Sequence, residues 1–187
     1  MDSNYPTDEE WLASLDDETR SRAGRMIAAM TELGAPEPVQ WVRSEITDNF
    51  PQVANFVLLR GIWPCIIDEY RKHTGWIDGS IHGAKTRPQD AFSDAGLALK
   101  KMREAGVSRE EIASVARMVA YETAELLLYY LDNRRDVTLP QQLGETLPGW
   151  VLMECTPDGE TTGRTIDGVH NMLLSLDPSG REGHPEE

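Results

Sequence analysis

The sequence predicts a mainly α fold: a multi-helix bundle of about five or six helices, with a small C-terminal β-hairpin and short helix packed on it. Three observations carry this. Apolar residues recur at helical spacing through residues 7–135. Ser, Thr and Asp caps, with Gly and Pro stops, punctuate that pattern. After residue 136 the texture changes to short apolar runs separated by turn residues. The 187 residues, 40% of them apolar, suit one domain with an appended subdomain.

Thr7 with Glu10 three residues on is a capping box, and Trp11, Leu12 and Leu15 give its helix an apolar face. Asp16 caps a second helix to about Leu33, with Ala23, Met26, Ile27, Met30 and Leu33 buried and Gly34 and Pro36 as its stop. Pro38 opens a third, with Val39, Val42 and Ile46 on one side, ending near Asn49. A fourth runs from Pro51 to His73, kinked near Gly61–Pro64 because Pro64 lacks an amide hydrogen. Residues 74–87 read as a long connecting loop with three glycines. Pro88 starts a fifth helix with Phe92, Ala95, Leu99 and Met102 inward, closed by Gly106. Ser108 and Glu111 form a second capping box, opening the longest helix, Arg109 to about Asp132. Its expected inner face is Ile112, Val115, Ala116, Val119, Leu126, Leu127 and Tyr130. Then come a loop, an apolar strand 150–155, a turn, a return strand 164–166 and a short helix capped by Asp167. The predicted division is a helical body at 1–135, a hairpin-and-helix unit at 136–177, and a disordered tail at 178–187.

Charge is unevenly placed. Residues 1–19 hold seven acids and no base, residues 136–187 hold ten acids and two bases, and the stretch between is nearly neutral. Such ends argue against nucleic acid or an anionic membrane as partner and leave a basic protein open. The acidic start, MDSNYPTDEE, does not read as a targeting signal, and two cysteines make no disulfide framework, so the expected setting is cytoplasmic with reduced thiols. Cys65 and Cys155, each within an apolar run, are expected to be buried.

No phosphate-binding glycine motif, nucleophile elbow, HExxH or CxxC is present. The candidate ligand pocket lies along helix 51–73 and the loop after it. Arg60 falls within the apolar arc beside Phe56 and Trp63, while Asn55, Glu69 and His73 line its margin. Trp76 and His82 come from the loop. A structural ion pair between Arg60 and Glu45 or Glu122 is the plainer alternative. Glu45 with Asp48, and Glu122 with Glu125, set two carboxylates one turn apart, a spacing that could hold Mg²⁺. The pairs faintly resemble those of all-α nucleotide pyrophosphatases, but their order and separation depart from that pattern, and no phosphate clamp accompanies them.

The function this supports is a small acidic cytosolic binding protein without catalytic chemistry or cofactor, such as an adaptor or an immunity-type inhibitor of a basic partner. The alternative is an all-α enzyme or ligand sensor with its pocket near Arg60, Glu69 and His73, with Mg²⁺ on the paired carboxylates.

Overall fold

Thr7 opens the first helix because its hydroxyl accepts from the Glu10 amide while the Glu10 carboxylate takes the Thr7 amide at 2.8 Å. This helix, α1 (Asp8–Ser14), turns at Leu15 into α2 (Asp17–Glu32), which Asp16 caps. Arg20 reaches back from α2 to the Leu12, Ala13 and Leu15 carbonyls, satisfying acceptors that the end of α1 leaves open. Gly34, at φ +78°, ends α2 in a Schellman turn, with the Ala35 amide donating to the Met30 carbonyl at 2.9 Å. Then follow α3 (Pro38–Thr47) and α4 (Gln52–Ile62).

The structure is a computed structural model describing residues 6–66, 74–134, 140–180 and 182–184. It is mainly helical, with one two-stranded antiparallel hairpin near the C-terminus followed by a short helix, as the sequence predicts. The chain divides into two compact units. Unit 1 is Met1–Gly61 with Leu127–Glu187, and unit 2 is Ile62–Leu126.

In unit 1, Trp11, Ala23, Met30, Val42 and Phe56 form a buried cluster. Leu12, Met26, Ile27, Val39 and Ile46 flank it, and so does Leu176 from the other end of the chain. Trp41 meets Phe56 edge-on at 5.6 Å and donates its indole N–H to the Pro36 carbonyl. The later part of the unit holds α8 (Gln141–Gly144), β1 (Met153–Cys155), β2 (Thr161–Thr165) and α9 (Val169–Met172). Met153 pairs with Thr165 and Cys155 with Thr161, so β2 carries two extra residues between these pairs, and Gly163 at φ +83° absorbs the bulge.

In unit 2, α5 (Gly75–Thr86) packs on α6 (Ser93–Glu104). Gly96 is buried at their contact: a Cβ there would lie 2.3 Å from the Ser80 carbonyl oxygen. Gly106, at φ +91°, closes α6 with a second Schellman turn. The Ser108–Glu111 box then opens α7 (Arg109–Asp132), whose last residues belong to unit 1. Arg109 ties the start of α7 to α5 by a bidentate pair with Asp78 at 2.9 and 3.0 Å.

Several expectations need correction. The fourth helix ends at Ile62 and passes into a 3-10 turn at Trp63–Cys65, so Pro64 terminates it rather than kinking it. Residues 67–73 lie outside the described residues. The expected loop is largely helix α5, because burial of Ile77 and Ala84 on one face outweighs the glycine penalty. Helix α6 starts at Ser93, not Pro88, after Phe92 adopts a left-handed φ of 61° and stands exposed. Both cysteines are exposed. The strands are Met153–Cys155 and Thr161–Thr165, and Gly168 rather than Asp167 is the N-cap of α9. In α7 the buried residues are Ile112, Ala113 and Leu128; Val115, Val119, Leu126, Leu127 and Tyr130, expected inside, are exposed.

Candidate functional site

Unit 1 carries a charged centre that joins the hairpin to α3. Arg164 on β2 donates through Nε and Nη2 to both oxygens of Glu154 on β1, at 2.8 and 2.5 Å, and through Nη1 to Glu45 on α3. Glu45, with 1% of its side chain exposed, also accepts the Val53 amide at 3.0 Å, so one carboxylate caps α4 and anchors β2. Burial opposes both charges. The hydrogen bonds from Arg164 and Thr162 outweigh it at Glu154, with help from the Arg164 and Arg22 charges, and hold that carboxyl below its ordinary 4.5. At Arg164 burial is likewise outweighed by the two carboxylates, which hold the guanidinium above its usual value.

A pH dependence follows. Because the folded value of Glu154 lies below the unfolded one, the unfolded chain binds this proton more readily. The Glu154 contribution is complete above about pH 4.5 and disappears as pH falls through the lower folded value. Melting temperatures followed into acid should drop more steeply for the native protein than for Glu154→Gln; parallel curves would show that ionised Glu154 does not stabilise the fold.

Beside this centre runs an open groove of about 320 Å³, lined by Asn49, Phe50, Pro51, Arg134, Gly163, Arg164, Thr165 and Asp167. Asn49 and Arg134 hold left-handed φ values of 55° and 53°, unusual for residues with side chains. Its charges are matched: Arg134 stands 3.6 Å from Asp167, and Arg164 is shared by two carboxylates. The groove can therefore hydrogen-bond a polar segment but offers no surplus charge for an anion.

A second polar contact fixes α9. The carboxylate of Asp132, at the end of α7, lies 2.5 Å from Nδ1 of His170 and accepts the His170 amide at 3.3 Å. Tyr129 meets the imidazole edge-on at 5.3 Å. This resembles the base-and-orienter half of a nucleophilic triad. Among the described residues, no hydroxyl or thiol hydrogen-bonds the ring, and the contact serves to dock α9.

The residues singled out from sequence are dispersed. Asn55 is fully buried in unit 1, and its side-chain oxygen and nitrogen have no hydrogen-bond partner among the described residues. Arg60 is exposed and donates to the Leu33 carbonyl at 3.2 Å, so the ion pair sought for it belongs to Arg164 and Glu45 instead. Trp63 is buried in unit 2, with its ring 6.2 Å from Tyr121. Trp76 is partly buried with its indole nitrogen unpartnered among the described residues, and His82 is exposed. Glu69 and His73 lie outside the described residues. Asp48, the C-cap of α3, accepts from Ser44 on that helix, Glu122 is exposed, and Glu125 is partly buried. Among the described residues, no three His, Cys, Asp or Glu side chains gather as a metal-ion site. None of the described helices is long and apolar enough to cross a membrane.

Sequence reasoning missed Arg164, Asp132 and His170. One signal for Arg164 was available: it is the sole Lys or Arg in residues 140–180, set among acids. No protein-family model, curated protein or solved structure matches this chain.

Proposed function

We propose that the chain is a binding protein without catalytic chemistry, whose acidic unit docks a basic protein partner. The observation that carries this reading is the segregation of charge. Unit 1 holds 22 Asp and Glu against nine Lys and Arg, a net −13, whereas unit 2 holds ten against nine, a net −1. Two acidic ends that are distant in sequence thus fall in one compact body, where their fields add and draw an oppositely charged surface from a distance. An adaptor or an immunity-type inhibitor uses such a surface, and the matched charges of the groove suit recognition better than chemistry. A ligand sensor is the second reading; the groove at Asn49–Pro51 favours it, at a place other than Arg60.

The test uses acids whose side chains make no hydrogen bond or ion pair among the described residues. Glu9, Glu18, Asp158 and Glu160 are exposed side chains of unit 1, and neutralising all four as Gln or Asn should leave the fold intact. Association with the partner isolated from the native host should slow several-fold at low salt. The difference should shrink as the Debye length falls from about 30 Å at 0.01 M to about 8 Å at 0.15 M. An association rate that is unchanged at both salt concentrations would reject the electrostatic docking.

A further inference from the structure

We infer that the outer edge of β2, where it borders the groove of unit 1, takes an extended basic segment of a protein partner as an added strand. The inference rests on the reading of the chain as a binder of a basic protein, and it names the part of that partner which is gripped. In a two-stranded sheet each strand keeps one edge without a neighbour. Gly163, Arg164 and Thr165 line the groove and no residue of β1 does, so it follows the side of β2 away from β1. The Ile166 amide donates to the Leu152 carbonyl at 2.9 Å, which makes Met153 and Thr165 a pair that exchanges no hydrogen bonds. The Thr165 amide and carbonyl therefore point outward, and neither has a partner among the described residues.

The rest of the lining suits a peptide backbone. Asn49 is exposed and its side chain makes no hydrogen bond among the described residues, so its amide is free to donate to and accept from one peptide unit. Backbone strain holds it in place, at a φ of 55°. A Cβ built on Gly163 would meet nothing within 4 Å, which leaves room over the bulge for a side chain of the added strand. Charge decides the occupant. Arg164 is shared by Glu45 and Glu154, and Arg134 faces Asp167, so no spare cation draws an acidic segment. Backbone amides are neutral and leave those pairs intact. Side chains of the added strand that point out of the groove meet exposed Asp48 and a unit of net −13, which favours Lys and Arg there. Gly163 to Thr165 spans about 7 Å at roughly 3.3 Å per residue, so few backbone bonds form, and an isolated strand should bind with a Kd on the order of 0.1–1 mM.

The probe is a capped hexapeptide alternating Lys and Val, titrated into the full chain and followed through its backbone amide resonances. It should shift Gly163, Arg164 and Thr165, and bind at least about tenfold tighter than the same peptide with Glu in place of Lys. Successive amides of a strand point to opposite sides. Methylating the amide nitrogens of one alternate set should therefore abolish binding, while methylating the other set should leave it within about twofold. Asn49→Gly, which keeps the left-handed turn without the side chain, should retain the native fold and weaken the peptide at least about fivefold. No binding at millimolar peptide, equal binding of the Glu peptide, equal loss from both methylated sets, or an affinity unchanged in Asn49→Gly would each overturn the inference. So would a dimer of the chain alone that Asn49→Gly abolishes, because β2 would then pair with a second copy. The two readings fail separately: a chain that ignores the peptide, yet meets its partner more slowly once the four acids are neutralised, keeps electrostatic docking and loses the β2 site.

Discussion

Arg164→Ala is expected to destabilise unit 1 by about 3–5 kcal/mol, the usual cost of removing one member of a buried ionic cluster. The substitution leaves the Glu45 and Glu154 carboxylates facing each other, and Glu45 has almost no route to water. Urea denaturation, read through amide exchange at Val42 and Phe56, measures this loss in the body concerned. Replacing Arg164, Glu45 and Glu154 together by Met should recover most of it, since the desolvation of three charges disappears with them. Arg60→Ala is the control: an exposed side chain with one hydrogen bond to a carbonyl should cost well under about 1 kcal/mol. If Arg164→Ala cost no more than Arg60→Ala, the ionic centre would have no structural weight.

Gly96→Ala is the second large effect, expected to cost unit 2 about 2 kcal/mol or more. Alanine in a helix interior ordinarily gains about 1 kcal/mol over glycine. Here the new methyl would stand 2.3 Å from the Ser80 carbonyl oxygen and 2.6 Å from the Ala84 Cβ, forcing α5 and α6 apart. Backbone on one side and a short side chain on the other leave nothing flexible to yield. Gly24→Ala in α2 meets nothing within 4 Å and should stabilise the protein instead. Thermal melts of the two variants should therefore move in opposite directions; a rise for both would mean that the α5–α6 contact is looser than it looks.

What could be read from sequence was local. Thr7 with Glu10, Asp16, Gly34, Gly106, and Ser108 with Glu111 each act within a few residues, and each sits where the pattern puts it. The buried stripe of α2 follows from period alone, through Ala23 and Met30. Helix α5 escaped because three glycines argue against a helix locally, while the burial of Ile77 and Ala84 that offsets them is tertiary. The period of α7 was legible but not which stripe would be covered, since a period states that a face exists and not what lies on it. At the candidate site, Glu45 was visible as an acid on α3. Its cation is 119 residues further along, and no spacing rule reaches that far.

That separation bears on how the chain folds as it is made. Unit 2 is contiguous and can assemble as soon as its own residues have left the ribosome. Unit 1 cannot, because its first helices await Arg164 for Glu45 and Leu176 for the flank of the Trp11–Phe56 cluster. At about 5–20 residues per second, the interval between Gly61 and Leu176 is on the order of ten seconds. During it, Glu45 has no counter-ion and the apolar faces of α1 to α4 lack their final cover. Helices α1 to α4 are thus open to chaperones and proteases until Arg164 and Leu176 have been made.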